Sequence, residues 1–121
     1  MPSEAGAIFP RDRRLLKPDD YRRVFSDGQR SSDAYFLVLA RPNQLTGPRL
    51  GLAVSKKNSR RAVDRNRIKR LIRESFRFHQ HQLAGLDLVV VTRHGISRAD
   101  NSDCFKSLRH HWQRVAEKCV H

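Results

Sequence analysis

Residues 62–83 contain neither glycine nor proline, the two residues that most readily end a helix. Within them Ile68, Leu71, Ile72, Phe76 and Leu83 recur at helical spacing on one face. A long helix with one apolar stripe must lay it against a second layer and keep its other side in water. Short apolar runs elsewhere supply that layer. Residues 34–40 read AYFLVLA, 50–54 read LGLAV and 86–91 read LDLVVV, and each predicts a strand. The stretch 42–48, with Asn43, Gly47 and Pro48, predicts the loop of an antiparallel hairpin joining the first two.

Two further helices flank these elements. Pro18, Asp19 and Asp20 suit a first turn, where proline costs nothing and acids meet the positive end of the dipole. Tyr21, Val24 and Phe25 follow at helical spacing, and Gly28 is placed to stop the helix. Asn58 or Ser59 is placed to cap the long helix and Gly85 to end it. Asn101 or Ser102 can cap a last helix, with Phe105, Leu108, Trp112, Val115 and Cys119 as its stripe. The order helix, strands, helix, strand, helix predicts an α+β sandwich on one small sheet. Residues 1–13 lack periodicity and read as a flexible arm, leaving 14–121 as a single domain.

Charge narrows the function. The chain carries 25 Lys and Arg against 12 Asp and Glu, a formal +13, and such self-repulsion calls for a polyanion. No apolar run is long enough to span a membrane, and surface binding would use the apolar stripe that the core needs. Cys104 and Cys119 are fifteen residues apart on one expected helix, roughly 22 Å, too far for a disulfide. Free thiols and no secretory leader point to the cytoplasm.

The excess is concentrated. Residues 56–77 hold ten Lys or Arg (Lys56, Lys57, Arg60, Arg61, Arg65, Arg67, Lys69, Arg70, Arg73 and Arg77) against Asp64 and Glu74, so the segment carries +8. Asn66, Lys69, Arg70, Arg73 and Arg77 fall within about a 100° sector, roughly opposite Ile68, Leu71 and Ile72. Arg60, Arg61 and Arg65 crowd the helix start, where the dipole already favours anions. That placement makes sense where phosphates meet free backbone N–H groups and guanidinium forks.

These residues resemble a known family. LGLAVSKK at 50–57, then Arg60, Ala62, Val63, Arg65, Asn66, Arg67, Ile68, Lys69, Arg70, Arg73 and Glu74, are similar to the signature of the bacterial ribonuclease P protein. DLVVV at 87–91 and Tyr21, Val24 and Phe25 fit the same pattern in order and spacing. The resemblance implies a mixed sheet of about four strands with three helices, in the order α-β-β-(β)-α-β-α, and a left-handed parallel crossover. It implies a subunit of an endoribonuclease that is inactive alone. It would be monomeric, one per catalytic RNA, and would help that RNA to remove the 5′ leader of precursor tRNA. Mg²⁺ would be bound mainly by the RNA, with none held tightly by the protein. Arg60, Arg65, Asn66, Arg67, Lys69, Arg70 and Arg73 would contact the RNA subunit, with Lys56 and Lys57 beside them; charge adds Arg61.

A second constellation is aromatic. Single-stranded RNA is gripped by aromatic platforms with basic flanks. Tyr21 and Phe25 share a helix face, and strand alternation lets only one of Tyr35 and Phe36 face that helix. The resemblance implies a leader-binding cleft of Tyr21, Phe25 and Phe36, with Leu37 and Leu39 lining the sheet. Other chemistries fit poorly. The histidine pairs 79/81 and 110/111 lack ligand spacing. Asp64, Glu74, Asp87 and Asp103 are scattered, so no catalytic residue is expected in the protein. Trp112 reads as core. Composition alone leaves one alternative, a non-catalytic ribosomal or RNA-assembly protein.

Overall fold

The computed structural model describes residues 13–15 and 17–119; the expected arm, Arg13 aside, lies outside the described residues. Helix α1 is Pro18–Asp27, with Pro18 at its start, Asp19 and Asp20 in its first turn and Gly28 closing it onto the Val24 carbonyl. A Cβ on Gly28 would run into that carbonyl, so glycine is required by close approach. Strands β1 (Gln29–Ser32), β2 (Phe36–Pro42) and β3 (Arg49–Ala53) follow, then α2 (Ala62–Phe78), β4 (Leu86–Thr92), a 3₁₀ turn (His94–Arg98) and α3 (Asn101–Cys119).

The sheet order is β1-β2-β4-β3, with β2 antiparallel to β1 and β4 and β3 parallel to β4. The expected hairpin between β2 and β3 is therefore wrong, because β4 lies between them. β4 is the most apolar run, and a strand buried on both faces takes a central position with neighbours on both edges. The actual hairpin joins β1 to β2 at Asp33, whose Oδ1 accepts from the Tyr35 and Phe36 N–H groups at 2.8 and 3.0 Å. β1 reads QRSS, which carries no apolar signal.

Helix ends also depart from expectation. α2 stops at Phe78, and Gly85, at φ +78°, turns the chain into β4 instead. Arg61 precedes α2 without a side-chain cap; Asn58 donates to the Thr92 carbonyl at 2.9 Å. α3 is capped one residue early. Asp100 Oδ1 accepts from the Asp103 N–H at 2.7 Å while Asp103 Oδ2 accepts from the Asp100 N–H at 3.2 Å, a reciprocal box.

Alternation along the strands makes two cores. Phe36, Val38, Ala40, Leu50, Leu88 and Val90 face α2 and α3 and pack on Ile68, Ile72, Phe76, Leu108 and Trp112. Trp112 is fully buried, as expected, donates to Ser75 Oγ at 2.8 Å and meets the Phe76 ring edge-on. Leu39 and Val89 point to the other face, where Leu15 and Val24 cover them. Helices thus cover both faces, with α1 alone on one.

Candidate RNA interface

The cationic face of α2 forms as its spacing dictates. Ile68, Leu71, Ile72, Ser75 and Phe76 are buried, while Arg60, Arg61, Asn66, Arg70 and Arg73 are exposed and Lys69 half-exposed. Two predicted contact residues are partly occupied. Arg65 donates through Nη1 to the carbonyls of Ser59 and Arg60 at 2.9 and 2.7 Å. Arg67 donates to Asn101 Oδ1 at 2.5 Å, tying α2 to the start of α3. Both half-buried arginines shape the surface as well as adding charge to it.

The turn before α2 is held from β4. Ser55 N–H donates to Thr92 Oγ1 at 3.2 Å, Lys57 N–H to Ser55 Oγ at 2.9 Å, and Asn58 to the Thr92 carbonyl. Lys56 and Lys57 are exposed on this turn. The N–H groups of Ala62 and Val63 have no acceptor among the described residues; the first helical bonds run from Asp64 and Arg65 to the Arg61 carbonyl. Unpaired amides and exposed arginines at one helix end favour an anion.

On the other sheet face, α1 lies across the strands. Asp20 is 3.6 Å from Arg49 and Asp27 is 3.9 Å from Arg41, which anchors one flank of the helix. Arg49 also grips Asp87 with Nε at 2.8 Å and Nη2 at 2.7 Å, and these bonds hold the guanidinium even more firmly charged. Helical geometry puts Tyr21 and Phe25 on the opposite flank. Beside that flank runs a row of half-buried apolar side chains, Leu37 and Ala53 both paired with Val91. Tyr21 lies over Gly51, where a Cβ would come within 2.7 Å of its ring. Phe25 is 41% exposed, unusual for a phenylalanine that only packs.

Of the predicted cleft residues, Tyr21 and Leu37 pack on the same small core, and Phe25 stands one turn from Tyr21 on the same flank of α1. Phe36 does not join them. It is fully buried in the core on the opposite sheet face, because the parity of β2 sends Leu37 toward α1 and Phe36 away. Leu39 shares the α1 face but is fully buried under Val24, so it supports the cleft floor. Sequence reasoning missed Val91 and Ala53; alternation through residues 86–91, once β4 is central, would have found Val91.

A polar cluster lies apart from both surfaces. Ser31 Oγ is 2.6 Å from His111 Nδ1, and His111 Nε2 is 3.1 Å from Asp33 Oδ2, off hydrogen-bond alignment. Asp33 Oδ2 also accepts from Ser107 Oγ at 2.6 Å. Burial lowers the His111 pKa, against the pull of Asp33. Burial would raise the Asp33 pKa, but the Ser107 and backbone hydrogen bonds outweigh it and leave that pKa lowered. Ser31 and His111 are buried, so the array braces β1 against α3 and offers a substrate no access. Both cysteines are free, and burial pushes Cys104 up to about 11. Among the described residues no three His, Cys, Asp or Glu side chains are grouped to hold a metal, and no helix is long and apolar enough to cross a membrane.

Comparison with known proteins places this architecture. Residues 9–116 match the family model for ribonuclease P. The ribonuclease P protein component of Methylococcus capsulatus is 50% identical over 114 residues, covering 94% of this chain and 89% of the relative. That of Thioalkalivibrio sulfidiphilus is 48% identical, covering 93% of each. Among solved structures, the Staphylococcus aureus RNase P protein superposes with a TM-score of 0.78 at 32% identity, covering 84% of this chain and 94% of that one. The Thermotoga maritima RNase P protein gives 0.73 at 32% identity, covering 84% and 96%. The ribosomal alternative finds no support in these matches. With its core, its basic helix and nearly its full length matched, the chain belongs to the ribonuclease P protein family.

Proposed function

We propose that this protein subunit of ribonuclease P binds two RNAs at once, one on each side of its sheet. The cationic face of α2, with Lys56, Lys57, Arg60, Arg61 and the side chains from Arg65 to Arg73, docks the catalytic RNA. The trough formed by Tyr21, Phe25, Leu37, Val91 and Ala53 grips the 5′ leader of precursor tRNA. The observation that carries this reading is the exposure of Phe25, one turn along α1 from a Tyr21 that packs with the half-buried Leu37 and Val91, separated by the sheet from the exposed arginines of α2. Stacking on an aromatic ring tolerates any base, as a leader grip requires.

The protein has no part in bond breaking. It raises the local concentration of substrate on the RNA and, by neutralising phosphates, lowers the Mg²⁺ needed to hold the complex. Mg²⁺ itself is held mainly by the RNA in this reading. One monomer serves one RNA in the cytoplasm. The test is reconstitution with the RNA subunit and a 5′-labelled precursor. Protein alone leaves the precursor intact, while at low Mg²⁺ it raises cleavage by the RNA. No enhancement across a Mg²⁺ titration would sink the proposal.

A further inference from the structure

A cavity of about 490 Å³ opens where the chain enters α2. One wall is the turn from Lys57 to Arg61, with Asp64 of α2; the other is His94 and Ser97 of the 3₁₀ turn after β4. The second wall belongs to no basic motif. It is brought here by topology, because β4 lies beside β3 and both the entry turn and the 3₁₀ turn leave the same end of the sheet.

Three features make this a built site rather than a cationic stretch. Three cations, Lys57, Arg60 and Arg61, meet one carboxylate, Asp64, on its lining. Ser59, on the floor, is only 8% exposed, yet its hydroxyl has no hydrogen-bond partner among the described residues. The hydroxyl oxygen is not sealed off, so water reaches it from the cleft and a ligand oxygen can take that water's place. The unpaired N–H groups of Ala62 and Val63 sit at the same helix end. The volume suits one nucleotide and is too small for a duplex.

We propose that this cleft seats a single nucleotide of the RNA subunit by its phosphate, and that His94 and Ser97 are contact residues of the RNA interface. Phosphate oxygens accept from Ser59 and Ser97 hydroxyls, from the free amides and from the arginine forks. Asp64 tempers the positive field, so the seat holds a phosphate without trapping every passing anion. The proposal rests on reading α2 as the RNA-subunit face and extends that face onto the turn after β4.

The test uses the full chain and inorganic phosphate, followed by amide NMR against chloride at equal ionic strength. Phosphate should shift Ser59, Ala62, Val63, His94 and Ser97 together, with saturation. Asp64→Asn should tighten phosphate binding, and Ser97→Asp should abolish it. Tightening is the opposite of what a cation site would give, so weaker phosphate binding by Asp64→Asn overturns the proposal. So do phosphate shifts that merely track chloride over all basic residues. On the RNA subunit, Ser97→Asp should cost about tenfold in affinity, whereas Gln113→Glu, an equal charge change on exposed α3, should cost little. If Arg70→Ala/Arg73→Ala weakens RNA binding but Ser97→Asp does not, the cleft falls and the reading of α2 stands. If neither weakens it, both fall.

Discussion

Single side chains decide the proposed leader trough. Phe25 is exposed, so Phe25→Ala should leave the fold intact and remove a stacking surface worth about 1–3 kcal/mol per base. Leader-bearing precursor should lose affinity while mature tRNA keeps it, as filter binding of both to the reconstituted enzyme would reveal; equal losses would argue against the trough. Gly51→Ala should do the same by displacement. Its new methyl would strike the Tyr21 ring, at a stability cost of about 1–3 kcal/mol from overpacking, readable as a lower urea midpoint. Tyr21 and Phe25 were legible because helix spacing assigns a face directly. Phe36 was not, because a two-residue period leaves open which parity faces in, and only the pairing of β2 with β4 settles it.

Elements divide the labour, and α2 shows it best. Arg70 and Arg73 are exposed and their side chains make no bond to other described residues, so Arg70→Ala/Arg73→Ala should weaken RNA binding without unfolding. The slope of log affinity against log salt should become shallower by roughly 0.7–0.9 for each phosphate that the variant leaves unneutralised. Arg67→Ala should behave differently, since it also breaks the link to Asn101; melting temperature and RNA affinity should fall together. The long helix, its packed stripe and its cationic side were readable from residue spacing alone. Strand neighbours were not. Proximity in sequence favoured a β2–β3 hairpin, but the apolar run 86–91 competes for the centre, and burial on both faces decides the contest. Caps were misplaced for a similar reason, because Asn58 and Asn101 spend their side chains on tertiary bonds.

At the scale of the whole molecule, stability should depend on pH through the brace between β1 and α3. Burial lowers the pKa of His111 below the ordinary 6.5, so the unfolded chain binds this proton more readily than the folded one. Stability is therefore full above pH 6.5 and declines as pH falls through the window below it. Asp33, also lowered, from 3.8, extends the loss into the acid range. The slope attributable to His111 is at most about 1.4 kcal/mol per pH unit. Urea titrations at successive pH values should show it, and His111→Gln should flatten the curve between neutral and mildly acidic pH.

The strand order has a consequence in time. β4 is the last strand made, yet it supplies the centre of the sheet, the middle of the proposed leader trough and the anchor for the turn before α2. A ribosome that has released only residues up to 85 holds one hairpin, an unpaired β3 and a basic helix with its apolar stripe bare. Contacts so distant in sequence close slowly. On the proposed reading, cellular RNA meets a competent surface only late in synthesis, and the same strand commits both proposed binding faces in one step.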